Sequence, residues 1–362
     1  MSSHVRAPVN SVMAESLRSN GSVPFVSLIM PVRNEADFIA ESLTAVLTQD
    51  YPAGRLEVLV ADGRSTDETR RIVMDVASRY PDRHVTIVDN PEGFVAAGLN
   101  AAIEQAAGEI IVRVDGHCRI ASDYVSRCVH HLRHDDVDGV GGSIETIATT
   151  PIGQAIAAAM SSPFGVGGSA FRTLKDQSML ADTVPFPAYT RQVIEKAGPY
   201  DEELVRNQDD EYNYRLRKLG GRLLLAADVK SQYYSRTSLR SLWRQYYQYG
   251  YYKVRVMQKH VRQMKIRQFV PPTFVASLIV GLVLALLSEA GKWALGGLMA
   301  VYALAVLAAC VRTAQKVALA KPWMLLAIFP ILHTSYGLGF LVGIVRFGGR
   351  ARGLAARAGV GA

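Results

Sequence analysis

Short runs with the look of buried strands alternate with helical periodicity through the first third of the chain, and this alternation restricts the fold more than any other feature. Phe25–Val32 (FVSLIMPV) is apolar and partly β-branched over a strand length, and RNEADFIAESLTAVLTQ after it spaces its apolar residues along one helix face. Leu56–Val60 (LEVLV) is a second strand, closing on Asp62-Gly63. The plan then repeats: STDETRRIVMDVASRY reads as a capped helix, VTIVDN as a strand, VAAGLNAAIEQAAG as a helix ended by Gly108, and EIIVRVDG as a further strand. Such a series predicts an α/β fold, with a parallel sheet covered by helices on both faces and right-handed crossovers. Sheets of this kind hold ligands beyond the carboxyl ends of their strands. Those ends carry Asn34-Glu35, Asp62-Gly63-Arg64-Ser65, Asp89-Asn90 and Asp115-Gly116-His117. Each alone is ordinary turn and cap chemistry, but four together predict a ligand site. After Val137 the pattern loosens into a candidate strand (GVGGSIET), a glycine-rich stretch, and an acidic cluster followed by a helix within Val193–Arg217.

Composition changes near residue 270. Phe274–Leu287, Trp293–Val311 and Met324–Val345 are long apolar runs, separated by SEAGK and by RTAQKVALAKP, and they predict about three membrane segments. Before them, Arg236, Arg240, Arg244, Lys253, Arg255, Lys259, Arg262, Lys265 and Arg267 follow one another with no acidic residue between, enough to account for the whole formal charge of +8. A cationic stretch next to an apolar one suits an anionic leaflet, at about 1 kcal/mol per cation near the surface. It argues against a nucleic-acid partner. The charges leave the topology in conflict: the approach to the first run, the loop from Arg312 to Lys321 and the tail with Arg346, Arg350, Arg352 and Arg357 all favour the cytoplasm, yet three full spans would export the tail. A re-entrant third segment would remove that conflict. Cys118, Cys128 and Cys310 form no disulfide or zinc pattern, and the N-terminal residues lack the apolar core of a signal peptide.

The ordered strings Pro31-Val32-Arg33-Asn34-Glu35, Ala61-Asp62-Gly63-Arg64-Ser65-Thr66-Asp67 and Ala107-Gly108-Glu109-Ile110-Ile111-Val112-Arg113-Val114-Asp115-Gly116-His117 resemble the family 2 glycosyltransferases of the GT-A fold. Within that family they look closest to bacterial enzymes of succinoglycan-type exopolysaccharide assembly. The resemblance implies a Rossmann-like nucleotide-sugar-binding domain with a mixed, mainly parallel sheet, followed by C-terminal transmembrane helices. It implies donor contacts from Pro31, Asn34, Glu35, Asp62, Ser65 and Asp115, with Glu35 and Asp62 against the nucleoside, where an acceptor-only carboxylate suits an imide N–H and ribose hydroxyls. Asp67 reads as a cap or loop residue. Asp115-Gly116-His117 stands where the family carries Asp-x-Asp, whose task is to bind a divalent cation on the donor diphosphate; oxygen ligands suit Mg2+ or Mn2+, and an imidazole tilts the choice toward Mn2+. Asp115 and His117 are therefore the candidate metal ligands, with a hydrogen bond from His117 to phosphate as the alternative.

Gln208-Asp209-Asp210-Glu211-Tyr212-Asn213-Tyr214-Arg215-Leu216 resembles the family's Glu-Asp segment, with Gln208 in place of the usual Glu. In that register Asp209 matches the general base, and Asp210 is its rival. An inverting transfer needs one such base and no covalent intermediate. Gln245-Tyr246-Tyr247-Gln248-Tyr249 sits where processive relatives carry Gln-x-x-Arg-Trp, so Gln245, Gln248, Tyr249 and the neighbouring Arg244 are candidates for the acceptor and its diphosphate, with Arg244 or Lys253 as the cation for phosphate. An amphipathic interfacial helix with an aromatic belt fits the same residues. An oxidoreductase on a Rossmann sheet is excluded by the first strand end, Arg33-Asn34-Glu35-Ala36, which has no glycine fingerprint.

The expected organisation is a flexible leader (1–24), a catalytic domain (25–235), a basic amphipathic juxtamembrane segment (236–272), a membrane region (273–347) and a basic tail (348–362). The expected activity is transfer of a hexose, glucose by resemblance, from a UDP-sugar to a lipid-linked saccharide at the cytoplasmic face of a bacterial inner membrane. Polyprenyl-phosphate charging, processive polymer synthesis and a non-catalytic membrane scaffold are the alternatives.

Overall fold

The computed structural model describes residues 23–167, 171, 176–235 and 238–358. Most of the leader, part of the glycine-rich stretch, Arg236 and the last four residues lie outside them. The described residues form two compact units, one within Met1–Ile144, Lys175–Glu202 and Tyr212–Gln232, the other within Glu145–Leu174, Glu203–Glu211 and Tyr233–Ala362. The units do not follow the linear segments: residues 145–174 and 203–211, expected inside the catalytic domain, belong to the unit that contains the apolar helices.

The first unit is the predicted α/β layer. Strands β1 (Val26–Val32), β2 (Leu56–Asp62), β3 (His84–Asp89) and β4 (Ile110–Arg113) pair in parallel, with α1 (Ile39–Leu47), α2 (Thr69–Ala77) and α3 (Val95–Gln105) in the connections. All seven residues of β1 and of β2 are buried, as two covered faces require, which is why these strands read as continuous apolar runs. The register matters for the site. Val32 pairs with Asp62 and Asp62 with Asp89, so three strands end flush and their polar termini share one edge.

Beyond β4 come β5 (Cys118–Ile120), α4 (Tyr124–His134), β6 (Gly139–Ile147), α5 (Pro151–Met160), α6 (Pro163–Val166), β7 (Met179–Leu180), β8 (Ala188–Thr190), α7 (Arg191–Ala197), α8 (Gln208–Lys218) and β9 (Leu223–Tyr234). The sheet order is β3-β2-β1-β4-β8-β6-β9-β5, with β7 on β9. β8 lies antiparallel to both β4 and β6 and makes the sheet mixed, mainly parallel at its first half.

In the second unit, α9 (Leu239–Lys259) begins at Ser238, whose hydroxyl accepts from the Ser241 amide, and is followed by α10 (Val270–Leu287), α11 (Glu289–Lys316) and α12 (Leu325–Ala358). The last three are long and apolar enough to cross a membrane. α10 reaches that length because Pro271 and Pro272 fall in its first turn, where no intrahelical N–H is needed. α12 runs unbroken through Pro330. The re-entrant break that would have reconciled the charges is therefore absent.

Candidate functional site

The polar strand ends of the first unit are tied to one another before any ligand is considered. Asn34 adopts positive φ (54°), a conformation that asparagine tolerates, and its side-chain oxygen accepts the Thr66 amide at 2.8 Å while its own amide donates to Ser65 Oγ at 3.0 Å. Asp62 is nearly fully buried; its Oδ1 accepts from Ser65 Oγ (2.6 Å) and the Ser65 amide (3.2 Å), and Arg70 lies 3.7 Å from Oδ2. Pro31 pairs with Ala61 inside the sheet. Asp67 binds the loops together, accepting from the Ala36 amide and from the Thr69 amide and hydroxyl. Burial works against its charge, but the Thr69 hydroxyl and these amides prevail and hold the carboxyl below its ordinary range. Asp62, Ser65 and Asn34 thus form one preorganised edge.

Glu35 reaches across to the end of another strand. Its Oε1 lies 2.8 Å from His117 Nδ1, both side chains being largely buried. Gly116 allows this pairing: a Cβ there would stand 2.9 Å from Val32 Cγ1 and 3.1 Å from Glu35 Cγ. Asp115 receives Arg113 on one oxygen, Oδ1, from Nε at 3.0 Å and from the second guanidinium nitrogen at 2.9 Å. Among the described residues no cluster of three or more His, Cys, Asp or Glu could hold a metal. Asp115 and His117 offer one carboxylate and one imidazole, donor types that suit a divalent cation. A carboxylate on one ring nitrogen fixes the orientation of an imidazole, and Glu35 does this for His117.

The second unit sorts the acids of the 203–211 segment. Lys253, its side chain 6% exposed, forms an ion pair with Asp210 Oδ2. His260 Nε2 lies 2.9 Å from the buried Glu211. Glu203 meets Arg255 at 2.7 Å and Lys259 at 2.8 Å, and these two cations, Lys259 foremost, bring its carboxyl down to about 2. Among the described residues, Asp209 has no ion pair; it is exposed, and its Oδ1 accepts the Asp210 amide at 2.9 Å. Of the two rival acids, Asp210 is held as a counter-ion and Asp209 is accessible.

The uninterrupted cationic stretch is therefore not all turned to lipid. Lys253, Arg255 and Lys259 face the acids of the same unit, whereas Arg240 and Arg244 are exposed or partly so. Sequence reasoning missed these pairs, although an acid-rich stretch and an acid-free one some 50 residues apart were visible. The acceptor candidates are likewise occupied: Gln248 Oε1 accepts from Arg206 Nε at 3.1 Å, the Tyr249 carbonyl accepts from Asn207 Nδ2 at 3.0 Å, and Gln245 Nε2 donates to the Tyr249 hydroxyl at 3.1 Å. Gln248 and Tyr249 brace the chain just before Asp209. Arg244 stands apart on the exposed face of α9.

A mainly parallel sheet with carboxylates and a histidine at its strand ends defines a nucleotide-sugar-binding domain of the GT-A type. The family model described as "Glycosyl transferase family 2" matches residues 27–196. The chain is 31% identical over 274 residues to "Succinoglycan biosynthesis protein ExoA" of Rhizobium meliloti (strain 1021), covering 74% of this chain and 82% of that one. It is 25% identical over 332 residues to a dolichyl N-acetyl-alpha-D-glucosaminyl phosphate diacetamido-dideoxy-glucuronosyltransferase of Methanococcus voltae, covering 89% and 98%. Among solved structures it resembles the mannosyltransferase PcManGT from Pyrobaculum calidifontis in complex with GDP-Man and Mn2+, with a TM-score of 0.55, 25% identity, and 88% and 87% of the two chains covered. The chain belongs to glycosyl transferase family 2 and is a glycosyltransferase.

Proposed function

We propose that the protein is an inverting glycosyltransferase that moves a hexose, glucose from UDP-glucose by its subgroup, to a lipid-linked saccharide in exopolysaccharide or other cell-surface polysaccharide synthesis. The observation that carries this reading is Asp209: in the segment matching the family's base, it is the exposed acid without an ion pair among the described residues. Asp209 takes the proton of the acceptor hydroxyl as that oxygen attacks the anomeric carbon. The bond from that carbon to the donor diphosphate breaks, and its electron pair leaves with the diphosphate. Asp62, Ser65 and Asn34 hold the nucleoside side, with Asp115 and His117 toward the diphosphate and Glu35 fixing the His117 ring. A divalent cation held by Asp115 and His117, Mn2+ or Mg2+, would neutralise the charge that develops on the leaving group. Arg244, exposed on α9, is the candidate cation for the acceptor's phosphate.

The lipid-linked acceptor is supported by the names of the relatives, one a succinoglycan biosynthesis protein and one a dolichyl-linked transferase, and by three apolar helices that associate the chain with membrane. Placement in a bacterial inner membrane, catalytic face to the cytoplasm, is supported by the same resemblance and by the cation distribution. A GDP-mannose donor is the second reading, favoured by the mannosyltransferase likeness. The test incubates membranes containing the protein with labelled UDP-glucose, UDP-galactose, UDP-N-acetylglucosamine and GDP-mannose, with and without Mn2+, and weighs the lipid extract. A single added hexose from UDP-glucose supports the proposal, a polymer ladder points to a synthase, and a preference for GDP-mannose replaces the donor.

A further inference from the structure

Length and apolarity qualify three helices to cross a bilayer, but their packing does not treat them alike. In α12, 44% of the apolar stretch is buried within the protein, against 11% in α10 and 11% in α11. The difference comes from where α12 lies. It runs beside α9 in the same direction: a Cβ on Gly250 would stand 2.0 Å from the Tyr336 carbonyl oxygen, one on Gly339 2.1 Å from that of Tyr247, and one on Gly343 2.7 Å from that of Tyr251. Further along, Gln258 Nε2 donates to the Phe347 carbonyl at 3.0 Å, and the Tyr251 and Phe347 rings stand 4.9 Å apart. Glycines at such spacing let two helix backbones meet.

α9 cannot lie in a hydrocarbon core. It carries Arg240, Arg244, Lys253, Arg255 and Lys259, and at roughly 2.5–3.5 kcal/mol for each cation at a bilayer centre the total penalty exceeds 10 kcal/mol. Lys253 is moreover paired with Asp210, next in the chain to the proposed base, and Arg255 with Glu203. A helix bound along this one shares its depth.

The contacts of α12 with the other apolar helices agree. It meets one end of the α10–α11 hairpin: Gly337 packs on Pro271 and Val275, Phe340 on Phe269, and His333 Nδ1 lies 3.0 Å from the Tyr302 hydroxyl. The other end of the hairpin is bare, with Leu286 80%, Leu287 76% and Trp293 81% exposed. A third span of about 40 Å would run along the whole hairpin rather than end-on.

We propose that the chain crosses the bilayer twice, through α10 and α11, and that α12 stays with α9 at the cytoplasmic interface as part of the unit that carries the base. This resolves the charge conflict of the sequence. Arg262, Lys265, Arg267, Arg312, Lys316, Lys321 and Arg346 then share one side with the arginines of the tail, while the far turn holds Lys292, paired with Glu289 at 2.6 Å. That is the distribution the positive-inside rule demands.

The inference does not depend on which sugar is transferred, and its test reads topology alone. In the full-length chain with Cys310→Ala, single cysteines are introduced at exposed positions by Ala290→Cys, Ala320→Cys and Gly348→Cys, where a Cβ on Gly348 meets nothing within 4 Å. Expressing cells are converted to spheroplasts and treated with a membrane-impermeant maleimide before and after permeabilisation, and a detergent melting profile confirms that each variant is folded. The expected result is labelling of Ala290→Cys in intact spheroplasts, and of Ala320→Cys and Gly348→Cys only after permeabilisation. Labelling of Gly348→Cys from outside, or equal accessibility of Ala290→Cys and Ala320→Cys, overturns the proposal.

Discussion

Replacing Lys253 with methionine separates the roles of the two neighbouring aspartates. The lysine side chain is 6% exposed and that of Asp210 30%, so the variant leaves a partly buried carboxylate without its cation. Breaking a fully buried pair on one side costs about 3–5 kcal/mol, and the water that reaches Asp210 reduces this to about 2 kcal/mol. Asp210→Leu alone strands the better buried ammonium and costs more, about 3 kcal/mol. Removing both charges together restores an apolar contact, and the double variant is expected within about 1 kcal/mol of wild type, a coupling of several kcal/mol in the double-mutant cycle. The assay is unfolding of the full-length protein in detergent, run beside a sugar-transfer assay on the same preparations. Each single variant should melt a few degrees lower, the double variant near wild type, and the double variant should retain transfer because Asp210 is a counter-ion. Additive destabilisation would refute the ion-pair argument, and a double variant as inactive as one lacking Asp209 would make Asp210 the base.

Three further outcomes follow from the same contacts. Hydrogen bonds donated by the His131 ring to Asp228 and then to Asp135, acting against burial, raise the imidazole above its ordinary value, so its stabilisation is complete below about pH 6.5 and is lost as pH rises through the raised value. The melting temperature of wild type should therefore fall between pH 6 and pH 9 by more than that of His131→Gln, and parallel curves would contradict the assignment. Glu35→Gln keeps the shape but weakens the hold on His117, so transfer should need several-fold more Mn2+ for half-maximal rate; an unchanged Mn2+ titration would return Glu35 to the nucleoside. Gly250→Val drives a side chain into the Tyr336 carbonyl and should cost about 3 kcal/mol, lowering the melting temperature, whereas Gly296→Val, at a position with nothing nearby, should not.

The parallel half of the sheet was legible because strands covered on both faces leave unbroken apolar runs, and the strand-end residues because the carboxyl edge is where such sheets bind ligands. β8 was not: three residues, Ala188–Thr190, set antiparallel between β4 and β6 by pairing, carry no periodic signal of their own. The partners of the charges were hidden for a related reason. Lys253–Asp210, His260–Glu211 and Arg255–Glu203 join residues far apart in the chain, and a run of cations reads as a lipid-facing surface until the fold folds acids against it. Apolarity identified α12 as a membrane segment but could not tell lipid from a packed helix, since Gly250, Gly339 and Gly343 acquire meaning only once the helices meet.

The most direct measurement compares sugar transfer by wild type, Asp209→Asn and Asp210→Asn, using membranes, a labelled nucleotide sugar and a lipid extract as the readout. If Asp209 is the base of a family 2 transfer, Asp209→Asn should lose about 10²- to 10⁴-fold in rate with little change in KM for the donor, while Asp210→Asn retains substantial activity. Equal transfer by wild type and Asp209→Asn would contradict the account.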